Sequence, residues 1–241
     1  MSGNTPQKTH LAEIGNYDPD LWDKAIPRRC FIDRDTTLLD LCRNQKVLHL
    51  GAADYPFHEQ AAKGGNLLHQ KLQNVARSLI GIDQNKEAVQ YLHKHHGIDN
   101  IIHADTTSQI NDQRLSENFD IILCCDIIEH VDNPGMLLEF CKQYLSGSTL
   151  LVITTINATS IKNALRALQG REAVHQDHVA YYSYSTLCQL LLRHGLKPEQ
   201  AGFFSYGTRL KSTGMIFRLI ATISPGTADG IMLVCTAGHS S

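Results

Sequence analysis

The chain has 241 residues, 42% of them hydrophobic and 19% charged, with a formal net charge of -2 at pH 7. This length and apolar content suit one globular domain and exclude a disordered chain. The near-neutral charge, with Arg28-Arg29 as the only dense basic patch, gives no electrostatic footprint for nucleic acid, and no apolar run approaches the roughly 18 residues of a bilayer span.

The first ten residues, MSGNTPQKTH, lack the apolar stretch of a signal peptide. Seven cysteines (Cys30, Cys42, Cys124, Cys125, Cys141, Cys188, Cys235) sit mostly inside apolar runs with no CxxC pair. They read as reduced, buried thiols of a cytoplasmic protein.

Residues 1–16 show no hydrophobic period and read as a loose tail. From Tyr17 to Cys42, apolar residues including Leu21, Trp22, Ile26 and Leu38 predict one or two helices, so that 1–42 forms a tail and helical lid ahead of a domain over 43–241. A strand follows in KVLHLGAAD (46–54). Leu67, Leu68, Leu72 and Val75 then share one helical face over 66–76. A second strand, SLIGIDQN (78–85), ends at Asp83; Asn85 is placed to cap the next helix and Gly97 to end it. A short third strand lies in NIIHADTT (100–107). The fourth, in FDIILCCDIIEHVDNP (119–134), is a continuous apolar run suited to burial on both faces, and Pro134 opens the helix after it. TLLVITT (149–155) is the fifth.

Beyond it, residues 157–182 are polar and rich in His, the profile of an insertion that covers a substrate, with a short helix at about 160–169. A helix near 185–194, a strand near 200–206, a helix near 211–222 and a strand over 230–236 complete the chain. The predicted fold is α/β: a doubly wound, Rossmann-like, mostly parallel sheet of seven strands, the last antiparallel, with helices on both faces.

Four strands closing in small or acidic residues place a set of polar groups along one sheet edge. Gly51, Ala52 and Ala53 allow a ligand to approach the backbone closely. Asp83 can accept two hydrogen bonds from vicinal ribose hydroxyls, and Asp105 one from an adenine amino group. Each acid read alone is equally a loop acid; in this order on successive strands they point to a nucleoside cofactor.

With these residues the chain, from about Lys46 to Thr236, resembles the class I S-adenosylmethionine-dependent methyltransferases. The resemblance implies S-adenosyl-L-methionine as cofactor, cradled by Gly51, Ala52 and Ala53, with Asp83 and Gln84 at the ribose, Asp105 and Thr106 at adenine, and Cys125 and Asp126 completing the site. CDIIEHVDNP is similar to the motif after the fourth strand in small-molecule methyltransferases, and DHVAYYSYSTLCQLLLRHGL to a further family region. The chain departs from the pattern at His49, where the family has an acid, and at Ala53 and Tyr55, where it has glycines.

The implied reaction is methyl transfer to an oxygen or nitrogen of a small molecule, with neither nucleic acid nor membrane as partner. His130 is the candidate base, paired with Glu129 as the second catalytic candidate; the structural alternative is that both only hold a helix's first turn. No metal is assigned. This stretch also resembles ubiquinone-pathway O-methyltransferases, in which its acids and His bind a divalent cation; Asp126, Glu129 and His130 are the matching residues. His175 and His178 make an HxxH pair with no third ligand evident. Two other readings stand beside the first. One is a non-catalytic module that binds S-adenosylmethionine or S-adenosylhomocysteine and regulates a partner. The other, a nicotinamide oxidoreductase, lacks both GxGxxG and a Tyr-xxx-Lys pair.

Overall fold

The computed structural model describes residues 10–15, 17–106, 108, 110–116, 118–206 and 212–238. Its strands are β1 (Ala12–Glu13), β2 (Lys46–Leu50), β3 (Ser78–Asp83), β4 (Ile101–His103), β5 (Ile121–Cys125), β6 (Leu150–Ile156), β7 (Leu196–Phe204) and β8 (Gly230–Ala237). Its helices are α1 (Arg34–Cys42), α2 (His58–Lys63), α3 (Leu68–Gln73), α4 (Lys86–His96), α5 (Pro134–Lys142), α6 (Ile161–Leu168), α7 (Tyr184–Arg193) and α8 (Ser212–Ile223).

The strands form one sheet in the order β1-β7-β8-β6-β5-β2-β3-β4. From β6 to β4 all neighbours are parallel, and β8 runs antiparallel to both β6 and β7. The doubly wound sheet with its reversed last strand is therefore present, with eight strands among the described residues rather than seven. The addition is β1, antiparallel on the outer edge of β7. Two residues are too few to leave a period in the sequence, and of the tail expected over 1–16, residues 1–9 and 16 lie outside the described residues.

Alternation along β2 sorts the core. Leu48 and Leu50 face α5 and α7 through Leu137, Leu138, Leu187 and Leu191. Val47 faces the opposite side, with Leu38 of α1 and Leu72 of α3. Two local expectations change. The crossover helix expected over 66–76 is α3, shortened to Leu68–Gln73, and a further helix, α2, precedes it across Gly64-Gly65, Gly65 at a φ of 65°. Of the one or two helices expected before β2, α1 is present among the described residues; Leu21 and Trp22 lie outside it and exposed, and Asp33 caps α1 by accepting from the Thr36 N–H.

The caps of α4 are those read from the sequence: Asn85 accepts from the Ala88 N–H, and Gly97 is left-handed at a φ of 63°. All seven cysteines are free and buried. Among the described residues, no helix is long and apolar enough to cross a membrane.

Candidate functional site

After β4 the chain crosses back to the far side of β2, so the crevice of this sheet opens beyond the carboxyl ends of β2 and β5. The register Leu50↔Ile82 and Leu50↔Cys124 brings the ends of β3, β2 and β5 to one level, and Cys125↔Thr154 adds β6. Gly51 turns the chain at the end of β2 with a φ of 72°, and a Cβ there would stand 2.8 Å from Ile127 Cγ1. Only glycine meets both demands.

Asp83 is 8% exposed. Its two carboxylate oxygens accept from the Ala53 N–H at 2.9 Å and the Asn85 N–H at 2.8 Å. Burial raises its pKa, with the two N–H donors working against that rise. Each oxygen retains a second lone pair, so the carboxylate both braces the Gly51–Ala53 turn and can accept from a ligand. Gln84 and Asp105 are exposed beside it and Thr106 is half-buried. The Gln84 carbonyl is joined to the His103 ring at 3.2 Å.

At the end of β5, burial pushes the Cys125 thiol up to about 12. Asp126, at a left-handed φ of 53°, is held from several sides. It accepts from Arg34 of α1 at 2.7 Å, from Thr154 at 2.9 Å and from the Tyr206 hydroxyl at 2.9 Å. Arg34 is 92 residues from Asp126 in the chain and sits in a helix with no motif, and nothing in the sequence marks Thr154 or Tyr206 as its companions. Burial is the largest influence on Arg34 and works against its charge, and Asp126 together with Cys125, Tyr206 and Asp35 outweighs it, so the guanidinium pKa is raised. Arg34 also bonds Asp35, which Lys71 of α3 reaches at 2.7 Å.

At the family's acidic position stands His49, whose strand face puts it over α3 and His69. Both are buried, their Nδ1 atoms 3.2 Å apart and their rings stacked at 5.4 Å. The Asn100 amide donates to the Leu79 carbonyl, so its oxygen faces His69 Nε2, 3.2 Å away. That bond puts the His69 proton on Nε2 and leaves Nδ1 to accept from His49. Burial, then His69, holds His49 well below its ordinary pKa, and burial lowers His69 to about 4. The pair is neutral near pH 7, where the family carries a negative charge.

The acceptor-side candidates follow β5. Glu129 and His130 lie in a turn ahead of α5, whose cap is Asn133, so they do not form that helix's first turn. Glu129 is 1% exposed, and burial followed by the Asp126 charge pushes its carboxyl up to about 7. Burial and His175 lower the pKa of His130, which is half-buried. The 157–182 stretch folds back over this turn: the Val179 N–H donates to the Glu129 carbonyl at 2.9 Å. Tyr182 at the end of that stretch and Tyr184 at the start of α7 are buried, and the Tyr181 hydroxyl donates to the Ala173 carbonyl.

Asp126, Glu129 and His130 do not converge as one ligand set among the described residues; His130 instead meets His175 and His178. Buried polar atoms without a hydrogen-bond partner include Arg34 Nε, Glu129 Oε2, Thr155 Oγ1 and His178 Nδ1. All four belong to elements at this end of the sheet. Unpaired buried groups carry a desolvation cost of about 1–3 kcal/mol each, so their concentration beside a crevice fits a site built to bind.

A family model described as a methyltransferase domain matches residues 18–201. A ubiquinone biosynthesis O-methyltransferase of Bradyrhizobium sp. is 27% identical over 183 residues, covering 71% of this chain and 70% of that protein. The Haemophilus ducreyi protein of the same description is 32% identical over 104 residues, 40% of this chain and 43% of its own length. A mitochondrial one from Rattus norvegicus is 30% identical over 107 residues, 42% of this chain and 31% of its length. The match thus spans less than half the length of the latter two. Among solved structures, a SAM-dependent methyltransferase of Thermotoga maritima shares the fold with a TM-score of 0.58 at 13% identity, covering 84% of this chain and 87% of that one.

Proposed function

The chain belongs to this methyltransferase domain family, and from that premise we propose that it is an S-adenosyl-L-methionine-dependent methyltransferase acting on an oxygen or nitrogen of a small molecule. The observation that carries the reading is the buried Asp83 carboxylate beside the glycine turn of β2, at the point where the sheet reverses its strand order. The residues fit the cofactor. Small side chains at Gly51, Ala52 and Ala53 open the backbone, and Asp83 offers charged acceptor capacity that suits a pair of ribose hydroxyls. Gln84 joins Asp83 on the ribose side, and Asp105 and Thr106 are the residues offered to the adenine end. Arg34 and Tyr206 hold Asp126, so that its role is to fix the floor of the site rather than to offer a free carboxylate.

When bound, the cofactor supplies a methyl group on a sulfonium sulfur, already activated for displacement. The protein's part is then to align the acceptor, exclude water and take a proton from a hydroxyl or ammonium acceptor. His130 and Glu129 stand at the end of β5 under the 157–182 stretch, where they can receive that proton. The relatives described as ubiquinone biosynthesis O-methyltransferases make a hydroxyl oxygen the first acceptor to try.

The test is calorimetric titration of the full chain with S-adenosylhomocysteine, with NAD as control, followed by transfer of labelled methyl from S-adenosylmethionine to a panel of phenols and amines. Micromolar binding of S-adenosylhomocysteine alone, with label incorporated, is the expected result. Absence of that binding would overturn the reading.

A further inference from the structure

Two histidines of the 157–182 stretch have no task in methyl transfer, and the fold brings a third to them. The His178 N–H donates to the His175 carbonyl at 3.0 Å, closing a tight turn. The residues just beyond it are pinned: the N–H groups of Val179 and Ala180 both donate to the Glu129 carbonyl, at 2.9 and 3.3 Å. Since His130 follows Glu129 directly, the pin sets the turn against the His130 ring. The His130 and His178 ring centres are 4.5 Å apart and the rings nearly perpendicular, at 82°. His175 completes the triangle at 5.9 Å from His130 and 5.3 Å from His178.

One ring nitrogen of each histidine lies within 4.8 Å of the others, and all three side chains are partly buried. Nδ1 of His178 is buried and has no hydrogen-bond partner. The Asp177 N–H donates to His175 Nδ1 at 3.3 Å, which fixes that ring, and the Asp177 carboxylate stands 3.7 Å from the same nitrogen. Phe57 packs against His175 from the loop between β2 and α2, so the cluster faces the mouth of the crevice.

We propose that His130, His175 and His178 form a three-histidine site for a divalent transition-metal ion of the Zn2+ type. Three imidazoles without a converging carboxylate select Zn2+, Co2+, Ni2+ or Cu2+ over Mg2+ or Ca2+. With Zn–N bonds of about 2.0–2.1 Å, tetrahedral geometry needs nitrogens about 3.3 Å apart. The turn at His175–His178 therefore closes on His130 by at most about 1.5 Å per pair on loading. Three protein ligands leave a fourth position for water or a substrate oxygen, the arrangement of catalytic zinc sites.

This deepens the proposed function and, for that part, rests on it: the acceptor becomes a hydroxyl that binds a metal, and His130 holds the ion instead of taking the proton itself. The metal site itself stands apart from that reading, and the experiment separates the two. The full chain, stripped with a chelator, is titrated with Co2+ and followed by visible absorption, with S-adenosylhomocysteine binding measured on the same samples. One Co2+ per chain with the intense bands of tetrahedral coordination, displaced by Zn2+, is expected. Affinity should fall at least 100-fold in His178→Ala and in His175→Ala, and hold in His95→Ala/His96→Ala, which alters an exposed and a partly buried histidine at the end of α4. Unchanged Co2+ affinity in both lid variants, or no tetrahedral spectrum in the wild type, would overturn the site. Retained S-adenosylhomocysteine binding in a lid variant shows that it is folded. Co2+ binding without S-adenosylhomocysteine binding in the wild type would instead sink the methyl-transfer reading and leave the metal site standing.

Discussion

The neutral histidine pair behind the crevice makes a prediction whose size follows from its burial. His69 is fully buried and titrates at about 4, against about 6.5 for an unfolded chain. Above pH 6.5 neither state holds the extra proton. Between about 6.5 and 4 the unfolded state takes it up and the folded state does not, so stability falls as the pH drops. The full loss is about 3.4 kcal/mol, and about 2 kcal/mol of it is spent between about pH 7.5 and about pH 5. His49 contributes in the same direction. Glu129, raised to about 7, contributes in the opposite one, because a folded carboxyl with a raised pKa gains protons before the unfolded one. The wild type alone can therefore look nearly flat. The informative quantity is its stability minus that of His69→Gln, whose amide can donate to Asn100 and accept from His49 without titrating. Urea unfolding at the two pH values should show that difference shrinking by about 2 kcal/mol at the lower pH. A difference equal at both values would refute the neutral-pair assignment.

Three further outcomes test the crevice. Asp83→Ala should weaken S-adenosylhomocysteine binding at least tenfold, since charged hydrogen bonds are worth about 1.5–3 kcal/mol each; unchanged calorimetric affinity would remove Asp83 from the site. Gly51→Ala forces a Cβ against Ile127 at a φ of 72° and should cost at least about 1–2 kcal/mol, a Tm loss of several degrees, together with the affinity. Gly97→Ala, equally left-handed at a φ of 63° but with nothing within 4 Å, should lower Tm and leave the affinity alone. Arg34→Met should destabilise by up to about 3 kcal/mol through the stranded Asp126 charge, and Arg34→Met/Asp126→Asn should recover most of it in urea unfolding.

The local patterns of this chain determine its architecture. Apolar runs closing in Gly51, Asp83, Asp105 and Asp126 place the strands and the crevice, because a strand's period and its polar end are properties of a few consecutive residues. Asn85, Gly97 and Pro134 set their helix ends for the same reason. The features that differ from expectation, the added helix α2 and the exposed segment before α1, lie where the hydrophobic period is weak.

What the tertiary structure decided are the partnerships across the sheet. His49 meets His69 because alternation along β2 turns it toward α3. Arg34 reaches Asp126 because α1 docks on the same face of the sheet as Val47. His175 and His178 show a ligand spacing with no third member until the pin on the Glu129 carbonyl delivers His130. Such pairs are far apart in the chain and carry no shared period. Only the packing of crossover elements brings them within bonding distance, so the sequence marks the residues individually and the fold assigns them their partners.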